Sequence, residues 1–275
     1  MFRKREDPQR VIDVREILER LAHGEITVED AEKALRMNIV EKVGGIARLD
    51  LSRSMRHGVP EIVLAEGKAD EDLVSICMSM LTQSGRVILS RLSNIQLALL
   101  KRNFSEKYRL EEFVHGRCMV IKQPDFSVKQ TGGRVGILTA GTADLAVAEE
   151  AVMIAKEVGC LTFLEADAGV AGIHRLAEPL VNLVKNEVDC IIVVAGREGA
   201  LPTVVAGLVE TPIIAVPTSS GYGYGGGGTA ALMAMLQACS LGLAVVNIDS
   251  GIAAGVVASL IANRVAHART NTTKL

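Results

Sequence analysis

The apolar and polar positions of this chain repeat regularly from residue 134 onward. Short runs rich in Val and Ile recur at about 134–139, 161–165, 189–194, 212–216 and 243–248. Amphipathic stretches alternate with them, at about 143–158, 173–186, 199–209, 227–238 and 251–268. Nearly all-apolar strands that alternate with helices are typical of a parallel sheet buried on both faces. The pattern predicts a three-layer α/β/α sandwich with a parallel sheet, of the flavodoxin-like class.

The first part of the chain is less regular. Its periodicity predicts helices at 11–22, from Thr27 to about 37, at 71–81 and at 93–102, and strands at 46–51, 60–65, 86–90, 109–114 and 117–121. The polar stretch KQPDFSVKQTGG, residues 122–133, is typical of a linker. We therefore predict a smaller N-terminal α+β domain over 1–125 and a catalytic α/β domain over 126–275.

Composition narrows the possible partners. The chain has 275 residues, 49% of them hydrophobic, and a net charge of −2, which argues against a general nucleic-acid or membrane-surface binder. No apolar run reaches roughly 18–20 residues without Gly or a polar interruption, and the N-terminus does not resemble a signal peptide. The five cysteines form no C-x-x-C pair and are scattered, as are the histidines. A cytoplasmic protein without a structural metal site is expected.

Polar and glycine-rich segments follow the predicted strands of the second part. They include Gly196-Arg-Glu-Gly199, the glycine run 221–228 and Asn247-Ile-Asp-Ser-Gly251. The carboxyl ends of parallel strands meet at one edge of a sheet, where helix N-termini also bind anions such as phosphates. The run contains G-x-G-x-x-G but no Walker A lysine, and no acidic residue follows at the usual spacing. An ordinary hydride-transfer dinucleotide fold is therefore disfavoured.

Two residues near this edge are candidates for chemistry. Cys239 follows the glycine run, and it is either a small packing residue or a nucleophile. Glu198, at the end of a neighbouring strand, is either a first-turn acid favoured by the helix dipole or a general base. Candidates for substrate binding, each with a plain capping, turn or surface role as the alternative, are Asp144, His174, Arg175, Arg197, Gly221, Tyr222, Gly223, Gly226, Asn247 and Asp249.

Several segments together resemble the LarB family of nickel-pincer cofactor biosynthesis proteins. They are Gly141-Thr-Ala-Asp-Leu-Ala-Val-Ala-Glu-Glu150, Ala171-Gly-Ile-His-Arg-Leu176, Gly196-Arg-Glu-Gly-Ala-Leu-Pro202, Gly221-Tyr-Gly223 and Ala244-Val-Val-Asn-Ile-Asp249. The likeness runs more loosely through Gly58-Val-Pro-Glu-Ile-Val63 and Ala65-Glu-Gly67. The second half is similar in fold to the PurE class of aminoimidazole ribonucleotide carboxylases. The loop after Gly223 departs from the family, because it is almost pure glycine.

The resemblance implies a reaction. LarB enzymes carboxylate C5 of the pyridinium ring of nicotinic acid adenine dinucleotide and hydrolyse its phosphoanhydride, giving pyridinium-3,5-biscarboxylic acid mononucleotide and AMP. By resemblance Cys239 is the covalent nucleophile and Glu198 the acid/base. The implied substrates are the dinucleotide and CO₂ or bicarbonate; no organic cofactor is expected, and Mg²⁺ is a candidate to assist the anhydride cleavage.

Two other functions stay open. One is a PurE-type carboxylase or mutase, which needs no cysteine, and the other is a non-catalytic nucleotide-binding module.

The resemblance also implies a homo-octamer. The last helix carries Val256, Val257, Leu260, Ile261 and Val265 around more than one face, which indicates a further partner surface.

Overall fold

The computed structural model describes residues 14–36, 40–43, 47–50 and 57–272. The chain forms two compact units, 1–61 and 62–275. The unit boundary differs from residue 125, where the sequence predicts the division between domains, and that division stays a prediction.

The described residues of the first unit include two helices and a hairpin. They are α1 (Val14–Ala22), α2 (Val28–Arg36) and the antiparallel strands β1 (Val40–Val43) and β2 (Ala47–Asp50). Asp30 N–H donates to Thr27 Oγ1 at 3.1 Å, which confirms the predicted helix start at Thr27. Strand β1 is absent from the sequence prediction. The predicted helix residues 11–13 and strand residues 46 and 51 lie outside the described part of the chain.

The second unit begins with a four-stranded mixed sheet of order β3-β4-β6-β5. Its elements are β3 (Ile62–Leu64), α3 (Asp70–Ser84), β4 (Arg86–Ser90), α4 (Asn94–Phe104), β5 (Arg109–Phe113) and β6 (Cys118–Lys122). Helix α4 begins with a capping box, because Ser93 Oγ accepts from Gln96 N–H while Gln96 Oε1 accepts from Ser93 N–H. The predicted hairpin of β5 and β6 is confirmed, with antiparallel pairing from Arg109 to Phe113.

A five-stranded parallel sheet follows, with order β8-β7-β9-β10-β11. The strands are β7 (Arg134–Thr139), β8 (Leu161–Glu165), β9 (Cys190–Ala195), β10 (Ile213–Pro217) and β11 (Leu243–Val245). The order reverses between β7 and β9, which is the flavodoxin-like topology. All six residues of β9 are buried, as the apolar run predicts for a central strand. The predicted fold class is confirmed.

Helices cover both faces of this sheet. Helix α5 (Leu145–Glu157) and helix α9 (Gly251–Thr272) pack together on one face. The helices α6 (Ala177–Lys185), α7 (Leu201–Ala206) and α8 (Thr229–Leu236) contribute to the hydrophobic core of the other. Residues Gly251–Asn271 of α9 are long and apolar enough to cross a membrane by length and composition. However, α9 packs on α5 and three strands through a buried stripe of Ala254, Ala258, Ala262 and Ala266, so we assign it to the outer layer of the sandwich.

Five predicted elements of the sandwich are shorter than the sequence pattern suggests, among them α8, which covers Thr229–Leu236 of the predicted 227–238. The 3-10 turns Thr142–Asp144 and Val170–Leu176 precede α5 and α6, where the sequence predicts continuous helices from 143 and 173. Helix α7 covers only Leu201–Ala206 of the predicted 199–209. Strand β11 ends at Val245 rather than at 248, because the chain then turns: Ser250 N–H donates to Asn247 O, and Asp249 adopts a φ of 54°.

Candidate active site

A cavity of about 370 Å³ lies where the strand order reverses, beyond the carboxyl ends of β7 and β9. We call it the switch-point cavity. Asp144, Arg175, Arg197 and Glu198 line it together with Ser220. The structure therefore brings four of the sequence-predicted residues to one place. This is also the place where open α/β sheets bind their ligands.

Asp144 organises the inner wall of the cavity. Its buried carboxylate accepts hydrogen bonds from Thr218 Oγ1 at 2.6 Å, from Ser220 Oγ at 3.0 Å and from the N–H of Gly141 at 3.0 Å. A Cβ atom on Gly196 would overlap Ser220 Oγ and lie 2.7 Å from Thr218 Oγ1, so only glycine fits there. The Asp144 contacts cap the 3-10 turn and fix the loop after β10, which holds the Ser220 hydroxyl at the cavity wall.

Three charged residues of the cavity, unlike the buried Asp144, are exposed and therefore available to a substrate: Arg175, Arg197 and Glu198. Glu198 lies directly after Arg197, whose φ of 55° is unusual for a residue with a side chain. The Arg197 guanidinium lies 4.2 Å from the centre of the Tyr222 ring. Arg175 forms an ion pair of 2.9 Å with Asp167, which itself has a φ of 59°. Backbone strain of this kind is common at functional sites.

The other predicted binding residues are absent from the described lining of this cavity. His174, Tyr222 and Asn247 are exposed, and the Asn247 carboxamide oxygen accepts from the N–H of Ile248. The glycine loop stays close to the site at its start, because a Cβ on Gly221 would lie 3.0 Å from Arg197 N. Gly226 N–H donates to Gly223 O, which closes a turn inside the loop. The start of the glycine loop therefore flanks the cavity.

Within one chain, Cys239 lies near the amino ends of the parallel strands, whereas the switch-point cavity lies at their carboxyl ends. Cys239 falls between α8, which starts beside the loop after β10, and β11, whose first residue Leu243 pairs with Ile213 at the start of β10. The expectation that Cys239 shares the edge of Glu198 is therefore wrong for a single chain, because α8 returns the chain to the amino ends of the strands. Cys239 is nevertheless the exposed cysteine, whereas the other four are buried.

A second cavity, of about 410 Å³, lies on the other side of Ser220. We call it the arginine cavity. Loops that extend from the mixed sheet supply Glu66, Arg91, His115 and Arg117. Helix α5 supplies Glu150, and the loops after β10 and β11 supply Ser219, Ser220 and Asp249. Of the sequence-predicted residues, Asp249 lies here, and its Oδ1 accepts from Ser219 N–H at 2.8 Å. The two cavities share Ala143 and Ser220, so they adjoin.

Glu150 is the main residue that the sequence reasoning missed. It lies on α5 and is only 7% exposed, although it lines the arginine cavity. Burial raises the pKa of its carboxyl from an ordinary 4.5 to about 7, partly offset by the Arg91 guanidinium and by the N–H groups of Ile252 and Gly251. The sequence contained a signal for this residue. Glu150 directly precedes the apolar run Ala151-Val-Met153, and an acid on a core-facing helix stripe is uncommon.

The buried Glu150 carboxyl gives the protein a pH-dependent stability. Because its pKa is raised in the folded chain, the folded state holds a proton that the unfolded chain releases above about pH 4.5, so stability falls as the pH rises toward 7. Glu150→Gln removes this loss of stability, because the amide has no proton to release in this pH range. We expect the free energy of unfolding to increase by about 2–3 kcal/mol at pH 8 and to change little below pH 4.5.

Urea unfolding of the wild type and of Glu150→Gln, at pH 8 and again below pH 4.5, measures this effect. Glu149→Gln is the matched control, because Glu149 is the adjacent acid and its carboxylate accepts from Gly116 N–H. A Glu150→Gln variant that is less stable than the wild type at pH 8 would show that the ionised carboxylate is favoured by its surroundings.

The described residues do not form a protein-held metal centre. Among them, no group of three or more His, Cys, Asp or Glu side chains is arranged to hold an ion. Mg²⁺ is commonly held by one or two carboxylates together with substrate phosphates, but the described residues offer no dedicated site for it. No step below depends on it.

Comparison with known families agrees with this geometry. The AIR carboxylase family model matches residues 134–274, which contain the whole parallel sheet. The LarB/PurE-like N-terminal domain model matches residues 40–123, which include the mixed sheet. The chain therefore belongs to the LarB/PurE-like family, whose members are related to carboxylases and mutases.

Two relatives come from Methanocaldococcus jannaschii. An uncharacterized protein of this archaeon is 39% identical over 252 residues, which cover 91% of this chain and 97% of the relative. Its N5-carboxyaminoimidazole ribonucleotide mutase is 37% identical over 124 residues, or 44% of this chain and 74% of the mutase. The chain therefore shares nearly its whole length with the first relative and less than half of it with the mutase.

Proposed function

We propose that this protein carboxylates C5 of the pyridinium ring of nicotinic acid adenine dinucleotide and hydrolyses its phosphoanhydride. The products are pyridinium-3,5-biscarboxylic acid mononucleotide and AMP, and the carbon comes from CO₂ or bicarbonate. This is the first step of nickel-pincer cofactor synthesis, and we expect it to take place in the cytoplasm.

The observation that carries the proposal is the union of two domains in one chain. An AIR carboxylase domain supplies the switch-point cavity, and a LarB/PurE-like N-terminal domain precedes it. Glu66, Arg91 and Arg117 lie within the N-terminal match and line the arginine cavity directly beside the carboxylase site. A dinucleotide has two halves joined by phosphates, and two adjoining cavities that each have two arginines in their walls fit such a ligand.

The proposed chemistry begins with the electron-poor ring. A pyridinium does not attack CO₂, but a thiolate that adds at ring C6 makes C5 electron-rich. C5 then forms a bond to CO₂, and a base removes the C5 proton. The thiolate leaves and the ring becomes aromatic again. We assign the base to Glu198, whose exposed side chain lines the switch-point cavity, and the thiolate to Cys239.

The position of Cys239 adds a requirement to this proposal. Within one chain it lies at the amino edge of the sheet, away from Glu198 at the carboxyl edge. The proposed reaction therefore needs a second copy of the chain to present its Cys239 to the switch-point cavity. The positive ring of the bound substrate would then favour the thiolate form.

The same requirement predicts a multimer. Helix α9 buries its alanine stripe against its own chain, yet Val257, Leu260 and Val265 on its outer side are each 38–39% exposed. We expect light scattering at micromolar concentration to give about eight times the chain mass of 29.3 kDa. A mass near that of one chain would exclude both the octamer and a site shared between copies.

The mutase relative favours a second candidate function, that of a PurE-type mutase acting on N5-carboxyaminoimidazole ribonucleotide. Such an enzyme needs no thiol, and a non-catalytic nucleotide-binding module needs none either. Intact-mass measurement after mixing with nicotinic acid adenine dinucleotide distinguishes these functions. The proposed reaction predicts a covalent adduct on Cys239, whereas an unmodified protein that converts the mutase substrate would support the second candidate.

A further inference from the structure

The arginine cavity has no role in the carboxylation steps described above. It adjoins the switch-point cavity through Ala143 and Ser220, so a ligand seated at Glu198 can extend past Ser220 into it. Its volume of about 410 Å³ is similar to the 370 Å³ of its neighbour. The cavity therefore offers room for the part of a dinucleotide that lies beyond the reacting ring.

Two arginines lie in the wall of this cavity, and Arg91 forms an ion pair of 3.4 Å with Glu66, which also lines it. Arg91 follows β4 and Arg117 precedes β6, and both have left-handed backbones, with φ values of 53° and 48°. A backbone hydrogen bond of 2.9 Å from Leu92 N–H to Arg117 O joins the two loops. Left-handed conformations are uncommon for residues with long side chains and cluster at turns and functional sites. Guanidinium groups are the side chains best suited to phosphate oxygens.

Glu150 faces the arginines across the same cavity. A Cβ on Gly251 would overlap Val147 O and lie 2.9 Å from Glu150 Cβ, so the start of α9 is pressed against this residue. The N–H groups of Gly251 and Ile252 lower the pKa of the Glu150 carboxyl, because they favour its charged form. The result is a desolvated carboxyl group that shares with two arginines a cavity open to a ligand.

Resting on the function proposed above, we propose that the arginine cavity is where the phosphoanhydride is cleaved. Arg91 and Arg117 bind its phosphate oxygens, and Glu150 is the general base for the attacking water. The water oxygen forms a bond to phosphorus as its proton passes to the Glu150 carboxylate. The bond from phosphorus to the bridging oxygen breaks, and its electron pair leaves with the second phosphate. That phosphate is a weak base and needs no proton to depart.

The surroundings of Glu150 allow it to exchange a proton near neutral pH. The charged and titratable groups that face it are Arg91, Arg117, His115, Glu66, Asp249 and the buried Cys118 thiol. Burial raises the pKa of the Glu150 carboxyl to about 7, so the fraction ready to accept a proton increases with pH. We expect the rate of AMP release to rise about tenfold between pH 6 and pH 8.

The test measures two events separately with nicotinic acid adenine dinucleotide as the probe. Release of AMP reports hydrolysis, and the intact mass of the protein reports the thiol adduct. We expect Glu150→Gln to slow AMP release by roughly 10²-fold while it still forms the adduct. Glu149→Gln, which alters the adjacent acid outside the described cavity lining, should release AMP within about twofold of wild type.

The outcomes separate this proposal from the proposed function. If Glu150→Gln keeps more than about a tenth of wild-type AMP release, Glu150 is not the base, and the proposed function stands. If the variant loses adduct and AMP together while it remains folded, Glu150 shapes the whole site and the base assignment is wrong. If the wild type forms neither adduct nor AMP, the proposed function and this inference both fall.

Discussion

Cys239→Ala is expected to abolish carboxylation of nicotinic acid adenine dinucleotide and to leave the fold intact. The expected loss is large because the thiolate supplies the electrons that make ring C5 reactive, and no other described cysteine is exposed. The fold should survive because an exposed side chain fills no core space. A variant that still carboxylates at about a tenth of the wild-type rate or more would show that the thiol is not the nucleophile.

Alkylation offers an independent check on the same residue. Burial raises the pKa of the Cys77, Cys118 and Cys190 thiols to about 12, and it also raises the pKa of Cys160. Iodoacetamide at pH 8 should therefore modify Cys239 alone, because thiolates are the reactive form. Loss of activity in step with this single modification would agree with the behaviour of Cys239→Ala.

Glu198→Gln is expected to retain substrate binding and to lose turnover by roughly 10²-fold or more, because the amide cannot take the proton from C5. Glu106→Gln is the matched control, since Glu106 is an exposed acid after α4 that is absent from the lining of both cavities. Steady-state kinetics with the dinucleotide measure both variants. If Glu198→Gln raises KM and keeps kcat, Glu198 is a binding group and the base lies elsewhere.

The two active-site variants also test whether sites are shared between copies. If each site takes Glu198 from one chain and Cys239 from another, co-expressed Cys239→Ala and Glu198→Gln chains form some sites with both native residues. Random assembly should restore about one quarter of the wild-type activity. Mixed multimers that remain inactive would contradict a shared site.

Much of the fold was predictable from the sequence, because the sheet strands are apolar on both faces. The strands at 86–90, 134–139 and 161–165 were predicted to the residue. Strand β1, with the sequence Val-Glu-Lys-Val, was missed because two of its four residues are charged and the run is short. The ends of the helices were less predictable, since 3-10 turns have the same apolar spacing as the helices that they precede.

The switch-point cavity was predictable, because its residues follow strands of one parallel sheet. Asp144, Arg175, Arg197 and Glu198 all follow strands, and the rule for carboxyl ends brings them together. The arginine cavity was missed because it depends on how the mixed sheet packs against the parallel one, which no local pattern reveals. The place of Cys239 follows from topology, because a helix after a parallel strand returns to the amino edge.

The most direct test of the proposed reaction is incubation of the protein with nicotinic acid adenine dinucleotide and carbon-13-labelled bicarbonate, with the product masses measured. We predict AMP together with a pyridinium mononucleotide that carries one additional, labelled carboxyl group. Unchanged dinucleotide, or AMP with an unlabelled mononucleotide, would contradict the proposal that this protein is a pyridinium carboxylase.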